Sequence, residues 1–466
     1  MRDLDFRDKR VTVIGLGVEG EDVVRFLAQR GAYITVSDSK PREKLAERIE
    51  AVADLPVRFS LGENRIEDIA GSDAVFVSQG VPLDLPGIVE ARRRGLPVWS
   101  MLTLFMELCP GPIVGITGSS GKTTTTALVG EMFRCDERAH FVGGNIGIGL
   151  LNHLPEIRPY TWVILEISHT QLQLAQRSPH VAAVLNVTPN HLDRFTWEEY
   201  RTLKGNLIRY QGSADYAVLG YDDMEARNLR AETRATTLFF SRKGAFKGNG
   251  VVLEGDRALW KCNGLREPLF PLSHLKLRGQ HNQDNALAAA AVARTCGVSA
   301  GAIAEAVANF RGVPHRLELV ATVHGVDYYN DSIATTPERT LAGMRSFQQP
   351  LLLLLGGRDK HLPLEELARE ACQRCRAVIT FGESGKQLAE AIEKAAREGQ
   401  GQPRLVQTSD LDKAVEAAMG LAQAGDIVLL SPACTSFDAY DNFEKRGEHF
   451  RQLVLNSLKE VETSLR

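Results

Sequence analysis

The chain predicts an α/β protein of three domains, and three observations carry that prediction. Apolar strands recur as short unbroken runs, such as Leu351–Leu355, the pattern of parallel strands buried on both faces. Helix-like segments separate these strands, the alternation that winds a parallel sheet. The length of 466 residues exceeds what one hydrophobic core organises, so two to four domains are expected.

At 44% hydrophobic and 24% charged residues the composition is that of an ordinary soluble globular protein. A net charge of −3 gives no reason to expect nucleic acid or an anionic membrane as a partner. No apolar run, Leu351–Leu355 included, approaches the roughly 20 residues that span a bilayer. The charged opening MRDLDFRDKR leads straight into a strand pattern rather than a signal peptide. The 7 scattered cysteines suit reduced thiols. A cytoplasmic monomer is the expectation. Cys372 and Cys375 form a C-x-x-C pair with no second pair or histidine cluster at zinc-finger spacing, so they read as plain structure.

The first domain is expected over residues 1–107. It opens RVTVIGLGVEGEDVVRFLAQRGAYITVSD, which reads as strand, glycine turn, helix, strand; AVFVSQG and PVWS suggest later strands. Gly15-x-Gly17-x-x-Gly20 follows VTVI, and Asp38 ends the next strand. This matches the dinucleotide fingerprint, although the same turn cradles the diphosphate of any nucleotide. Alone it also admits an NAD-linked oxidoreductase, or a tight turn without a ligand.

The second domain is expected over 108–313, opening after CPGP. Strands IVGIT, TWVILEIS and VAAVLNVT alternate with helical segments. The turn-rich stretch from Ala231 to Pro271 reads as a small antiparallel addition, and HNQDNALAAAAVARTCG as a long helix ending at Gly297. Between IVGIT and a helix lies TGSSGKTT. Gly118, Ser119, Ser120 and Gly121 would present backbone N–H groups at a helix N-terminus, an anion site. Lys122 brings charge to phosphates, and Thr123, with Thr124 beside it, a hydroxyl to magnesium. The common phosphate-loop spacing wants a glycine at 116, where Ile116 stands. A Gly/Ser turn with a surface lysine is the plainer alternative.

Glu166 ends TWVILEIS, and His191 and Asp193 follow VLNVT. Ends of parallel strands are where ligands bind in such sheets, and hard oxygen donors suit magnesium. A helix-start carboxylate and a structural histidine are the alternatives. Lys204, in EEYRTLKGN, has no motif of its own and by helical periodicity reads as a solvated lysine.

The third domain is expected over 314–466. VDYYND, LLLLLGG, AVITFGES and DIVLLSP alternate with helices and lead into a charged helical tail past Leu453. The loops PHRLE, YNDSIATTPE, GGRDK and SPACTSFDAYDNFEKRG flank strand ends and carry Arg316, Asp331, Lys360 and Ser436. Together they read as one polar mouth.

In order, GLGVEG, TGSSGKTT, LEIS, NVTPNHLDR, GQHNQDNALAA, GVPHRLE, NDSIATTPE and SPACTSFDAYDNFEKRG resemble the Mur ligase family over nearly the whole chain. The resemblance is strongest to its glutamate-adding members; folylpolyglutamate synthase is a more distant relative. It implies an ATP-dependent, amide-bond-forming ligase of peptidoglycan precursor synthesis. Such an enzyme adds glutamate, in the D form, to UDP-N-acetylmuramoyl-L-alanine through an acyl phosphate, with ATP and Mg2+. TGSSGKTT is then a shorter phosphate loop in which Gly118 takes up the turn and Ile116 is a buried strand residue.

The same resemblance implies roles for individual positions. Gly15, Leu16, Val18 and Glu19 would meet the diphosphate and uridine end, Asp38 and Ser39 the uracil region, and Ser78 to Gly80 its other side. Asn145 would touch the muramoyl substrate. The residues Gly118, Ser119, Ser120, Gly121, Lys122, Thr123 and Thr124 would hold ATP, with Asn282 and Asn285 on the adenine side and Arg316 and Asp331 joining from the third domain. Thr123, Glu166 and His191 would ligate magnesium. Lys204 matches the lysine that is carbamylated in the family, which turns a cation into a carboxylate-like ligand and displaces the solvated reading. Lys122 and Arg316 would neutralise the phosphoryl group in flight, and Lys360, Ser436 and Phe443 would face glutamate. Two departures stand out. Ile333 replaces a common lysine, and Ile167-Ser168-His169-Thr170 follows Glu166 where Ser-Ser-Phe is usual. The lost cation keeps L-glutamate or another acidic amino acid open as the alternative substrate.

Overall fold

In a computed structural model, residues 4–145, 149–190, 194–244, 246–277, 279–360, 362–399 and 401–464 are described. They form two compact units, Met1–Phe310 and Arg311–Arg466.

The first unit holds two sheets. The smaller is wholly parallel, in the order Val57–Leu61, Tyr33–Asp38, Arg10–Ile14, Ala74–Val77, Val98–Trp99. Chain order reverses on either side of Arg10–Ile14, which opens a crevice beyond the carboxyl ends of the strands. The Gly15–Gly20 turn sits there because side chains would not fit. Gly15 has φ +88°, and a Cβ on Gly20 would run into the Gly15 carbonyl.

The larger sheet has nine strands. From Leu265–Pro271 it runs through Arg257–Cys262, Asn249–Glu254, Thr236–Ser241, Tyr216–Gly220, Val181–Val184, Ile113–Thr117 and Trp162–Glu166 to His140–Gly144. Antiparallel pairing is confined to the meander 249–271. Thr236–Ser241, expected to belong to that addition, instead pairs parallel on both sides. The meander is therefore a continuation of the main sheet. Helix Gln280–Thr295 is buried along the run Asn285–Ala293, as a helix apolar on all sides must be. Its alanines share a core with Leu128, Val129, Met132 and Phe133 of helix Lys122–Cys135.

The second unit has one six-stranded sheet, in the order Glu318–Val323, Val326–Asn330, Ile427–Ala433, Leu351–Gly356, Cys375–Phe381, Arg404–Gln407. Leu351–Leu355 have no exposed surface and pair parallel on both sides. The edge strand Glu318–Val323 is antiparallel, a departure from the wholly parallel expectation. Its turn is His324-Gly325, both at positive φ, the backbone that a two-residue hairpin requires. Cys372 and Cys375 are buried free thiols on a helix end and a strand start. The charged tail is helix Phe443–Ser464. No helix among the described residues is long and apolar enough to cross a membrane.

Candidate active site

The phosphate-loop candidate lies between the buried strand Ile113–Thr117 and helix Lys122–Cys135. Ile116 is fully buried in the strand, so the first glycine of the longer motif has no role to fill. Gly121 is the N-cap, at φ +82°, and a Cβ there would strike the Asn285 side chain. Asn285 in turn donates to Asn282 Oδ1 at 3.1 Å, which brings the predicted adenine-side pair to the loop. Asn186 shapes the loop from the neighbouring strand end: its carbonyl accepts from Ser119 N at 3.0 Å and its Oδ1 from Ser120 N at 2.9 Å. The Lys122 ammonium curls back over the loop, donating to the Gly118 and Ser119 carbonyls at 3.0 and 3.3 Å. Thr123 and Thr124 follow it in the first turn of the helix.

Lys204 is 1% exposed, which overturns the solvated reading. Thr196 and Glu199 form a capping box that starts helix Trp197–Arg209. Its buried face carries Tyr200, Lys204, Leu207 and Ile208. That i, i+4, i+7, i+8 spacing is an apolar stripe with a lysine inside it, and it was the sequence signal for burial. Lys204 Nζ donates to Thr117 Oγ1 at 3.1 Å and to the Gly118 carbonyl at 3.0 Å. Burial first, and the charge of Lys122 second, push its ammonium well below the usual lysine range, against a smaller opposing pull from Glu166. A lysine so placed sheds its proton readily.

Glu166, 3% exposed, closes strand Trp162–Glu166. Its Oε1 accepts from Asn145 Nδ2 at 3.1 Å, while the buried Oε2 has no hydrogen-bond partner among the described residues. An orphaned, buried carboxylate oxygen fits a cation, since such groups are otherwise satisfied. Among the described residues no three His, Cys, Asp or Glu side chains converge on a common point. His191 and Asp193 lie outside the described residues.

The UDP-sugar candidates surround the Gly15–Gly20 turn. Ser78 Oγ donates to the Gly15 carbonyl at 2.7 Å. Asp38 lies under the turn, with Oδ2 accepting from Leu16 N and Oδ1 from Lys40 N, both at 2.9 Å. Its carboxylate thus holds the buried Leu16, while Ser39 next to it is exposed. Gly17, Val18, Glu19, Ser78, Gln79, Gly144 and Asn145 line a cavity of about 280 Å³. Ser78, Gln79 and Gly80 also line an adjoining cleft of about 670 Å³ that reaches Thr170 and Arg194. Gln79, within the expected stretch Ser78 to Gly80, links the parts. It donates to Glu19 from N and Nε2, both at 3.1 Å, and its Nε2 meets Asn145 Oδ1 at 3.4 Å. Gln171 Nε2 adds a donor to Glu19 at 2.9 Å. Burial raises the Glu19 carboxyl above its ordinary range despite these donors. Asn145 is thereby held between the sugar-site residues and Glu166.

In the second unit, Asp331 accepts from Leu317 N at 3.2 Å and from Ser431 Oγ at 2.9 Å. Burial pushes its pKa up to about 7, against those bonds and the charges of Arg316 and Arg339. Lys360 Nζ donates to Thr335 Oγ1 at 3.3 Å. Its ammonium is held below the usual range by burial and then by Arg339. Ile333, at the missing lysine, is half-buried, and its carbonyl accepts from Arg339 Nη1 at 3.2 Å. Ser436 is buried. The Phe443 carbonyl accepts from Ser332 Oγ at 2.8 Å, and the Phe443 ring stands edge-on to His315. The sequence did not single out Arg446, whose guanidinium binds the loops that hold these side chains.

Comparison with known proteins decides the family. Residues 9–100 match the Mur ligase MurD-like N-terminal domain, 116–293 the Mur ligase middle domain, and 315–434 the Mur ligase glutamate ligase domain. The UDP-N-acetylmuramoylalanine–D-glutamate ligase of Symbiobacterium thermophilum is 40% identical over 448 residues, covering 96% of this chain and 98% of that protein. The chain belongs to the Mur ligase family.

The Mur ligase of the same name from Acetivibrio thermocellus is 36% identical, covering 97% of each chain. Among solved structures, the UDP-N-acetylmuramate–alanine ligase MurC of Thermotoga maritima superposes with a TM-score of 0.55 at 19% identity, over 96% of this chain and 100% of that one. MurF of Acinetobacter baumannii gives 0.55 at 16% identity, over 96% and 94%. At such identities these two speak for the fold alone. Nothing in the comparisons supports the oxidoreductase reading of the Gly15–Gly20 turn.

Proposed function

We propose that this Mur ligase joins D-glutamate to UDP-N-acetylmuramoyl-L-alanine, driven by ATP, in the cytoplasm and as a monomer. The observation that carries the chemistry is one cluster in the first unit. A backbone phosphate loop with Lys122 folded over it meets a buried lysine, Lys204, electrostatically coupled to the orphaned carboxylate of Glu166. The substrate choice rests on the full-length similarity to ligases of that name.

In this reading the γ-phosphoryl group passes from ATP to the alanyl carboxylate, giving an acyl phosphate and ADP. The amine of glutamate attacks the acyl carbon, loses a proton, and phosphate leaves as the amide forms. The chain's share is positioning and charge neutralisation. The loop residues Gly118, Ser119, Ser120 and Gly121, with Lys122, Thr123 and Thr124, hold the phosphates, Asn282 and Asn285 the adenine side, and Arg316 and Asp331 join the nucleotide. Gly15, Glu19, Ser78 and Asn145 hold the UDP-sugar, with Leu16, Val18, Asp38, Ser39 and Gly80 around them. Lys360, Ser436 and Phe443 receive glutamate. Thr123, Glu166, His191 and a carbamate on Lys204 would hold Mg2+, which supplies positive charge at the phosphoryl oxygens when bound. The depressed ammonium of Lys204 supports the carbamate, since only the neutral amine adds to CO2.

The test is phosphate release with ATP, Mg2+, UDP-N-acetylmuramoyl-L-alanine and a panel of acidic amino acids including both glutamate enantiomers. Release that needs all components and favours D-glutamate is expected. Release with L-glutamate or another acidic amino acid instead would move the specificity to the alternative that Ile333 raises. Absence of release dependent on both substrates would end the ligase reading.

A further inference from the structure

We infer that Arg446 is the positioning residue for the amino-acid end of the site, a single guanidinium that fixes the loops carrying Thr335, Lys360 and Ser436 against the helix start at Phe443. This rests on the proposed reading that those loops receive an amino acid. Arg446 lies in the first turn of helix Phe443–Ser464 and has no exposed surface. Its Nε donates to Ser332 Oγ at 3.0 Å and its Nη2 to the Ser332 carbonyl at 3.0 Å. These two bonds tie down the loop that runs on to Ile333 and Thr335. Nη1 reaches the Gly356 carbonyl at 3.3 Å, at the root of the loop leading to Lys360. Nη1 and Nη2 also reach the Thr435 and Cys434 carbonyls, both at 3.1 Å, next to Ser436. Ser332 Oγ passes the connection on to the Phe443 carbonyl at 2.8 Å. The fit is close: Gly357 has φ +126°, and a Cβ there would come within 2.9 Å of Nη1.

Among the described residues, every hydrogen-bond acceptor on Arg446 is a carbonyl or a hydroxyl. Removing an ion from water without a counter-ion is costly, so an arginine placed this way keeps a charge whose field acts elsewhere. Burial lowers the guanidinium only to about 10, with Asp438 the leading opposing influence, so it stays protonated at neutral pH. Its field is felt at Lys360, whose ammonium it helps to depress, together with Arg339. Converging positive charge of this kind favours a ligand with more than one carboxylate. A lysine cannot reproduce the five-donor planar fork, and that asymmetry makes the role testable.

Arg446→Lys and Arg446→Met in the full chain provide the test, with KM measured separately for glutamate, ATP and the UDP-muramoyl substrate. The methionine variant is expected to raise the glutamate KM by about tenfold or more, the scale of lost hydrogen bonds to a charged group. Its other two KM values should move several-fold less, and the lysine variant should fall between it and the wild type. Hydroxylamine trapping of the acyl phosphate without glutamate runs alongside. Failure of the wild type to form a hydroxamate would sink the ligase reading itself, whatever Arg446 does. With the wild type competent, a folded variant whose glutamate KM is unchanged, or a lysine variant whose three KM values rise together, would overturn the positioning role. Should the methionine variant not fold, the lysine variant decides alone.

Discussion

Lys204 and Arg446 are buried cations, one in each unit, and burial has opposite chemical consequences for them. Lys204 donates to Thr117 Oγ1 and the Gly118 carbonyl, lies near Lys122, and has its ammonium pushed well below the usual range. Arg446 has five bonds to four residues and keeps its charge. The difference is intrinsic: an ammonium sheds a proton to escape low dielectric, while a guanidinium retains it and must be solvated by the fold. Burial thus prepares Lys204 to react and Arg446 to hold.

The sharpest way to break this comparison is to exchange the side-chain types. Lys204→Arg and Lys204→Ala should each lower the ligase rate by about 10²-fold or more, the scale of a lost electrostatic stabiliser. Short carboxylates should partly restore the alanine variant but not the arginine one. Full activity in either unsupplemented variant would remove the carbamate role.

A smaller effect tests the backbone-built loop against these side-chain-built features. Gly121→Ala places a Cβ at φ +82° against Asn285. The left-handed conformation alone costs about 1–2 kcal/mol, so the ATP KM should rise by roughly tenfold with the glutamate KM little changed. Equal changes in both would deny the loop its specific role.

Asp331 extends the comparison to a buried acid. Its pKa is raised to about 7 in the folded chain from an ordinary value of 3.8. Folding therefore takes up a proton there, and the stability this contributes is complete below about pH 4 and lost as pH rises through about 7. Asp331→Asn should flatten the melting temperature of the second unit across that window. The difference amounts to at most about 4 kcal/mol, three pKa units at 1.36 kcal/mol each. An unchanged pH profile would show that Asp331 is ionised throughout.

The smallest effect expected is Asp22→Ala, within the first unit. The Asp22 carboxylate accepts from Leu151 N at 2.7 Å and Asn152 N at 3.2 Å. Loss of these bonds should destabilise by about 1–3 kcal/mol, seen in chemical denaturation, with KM values near wild type.

Much of the fold was legible because its signals are local. Leu351–Leu355 announced a central parallel strand, and Gly15–Gly20 and Gly118–Gly121 announced tight turns after strands. The antiparallel edge Glu318–Val323 was missed because its signal was only the pair His324-Gly325. In the site, Glu166 and Lys122 stood out by their position at strand and helix ends. Lys204 was misread by periodicity because lysine is so seldom buried that its place in the Tyr200, Leu207, Ile208 stripe was discounted. Gln79 and Arg446 were legible only as members of the stretches Ser78 to Gly80 and SPACTSFDAYDNFEKRG, without a role of their own. Gln79 meets Glu19 from 60 positions away and Arg446 meets Ser332 from 114, although Thr435 and Cys434 are near Arg446 in the chain.

The sequence by itself determined the α/β class, the phosphate loop and the family, since strand hydrophobicity, glycine placement and motif order are properties of neighbouring residues. Tertiary structure alone decided which polar groups are buried and what they bind. It left Glu166 Oε2 without a hydrogen-bond partner among the described residues, set Lys204 against Gly118 and wrapped three loops around Arg446, because desolvation depends on every segment that folds over a group.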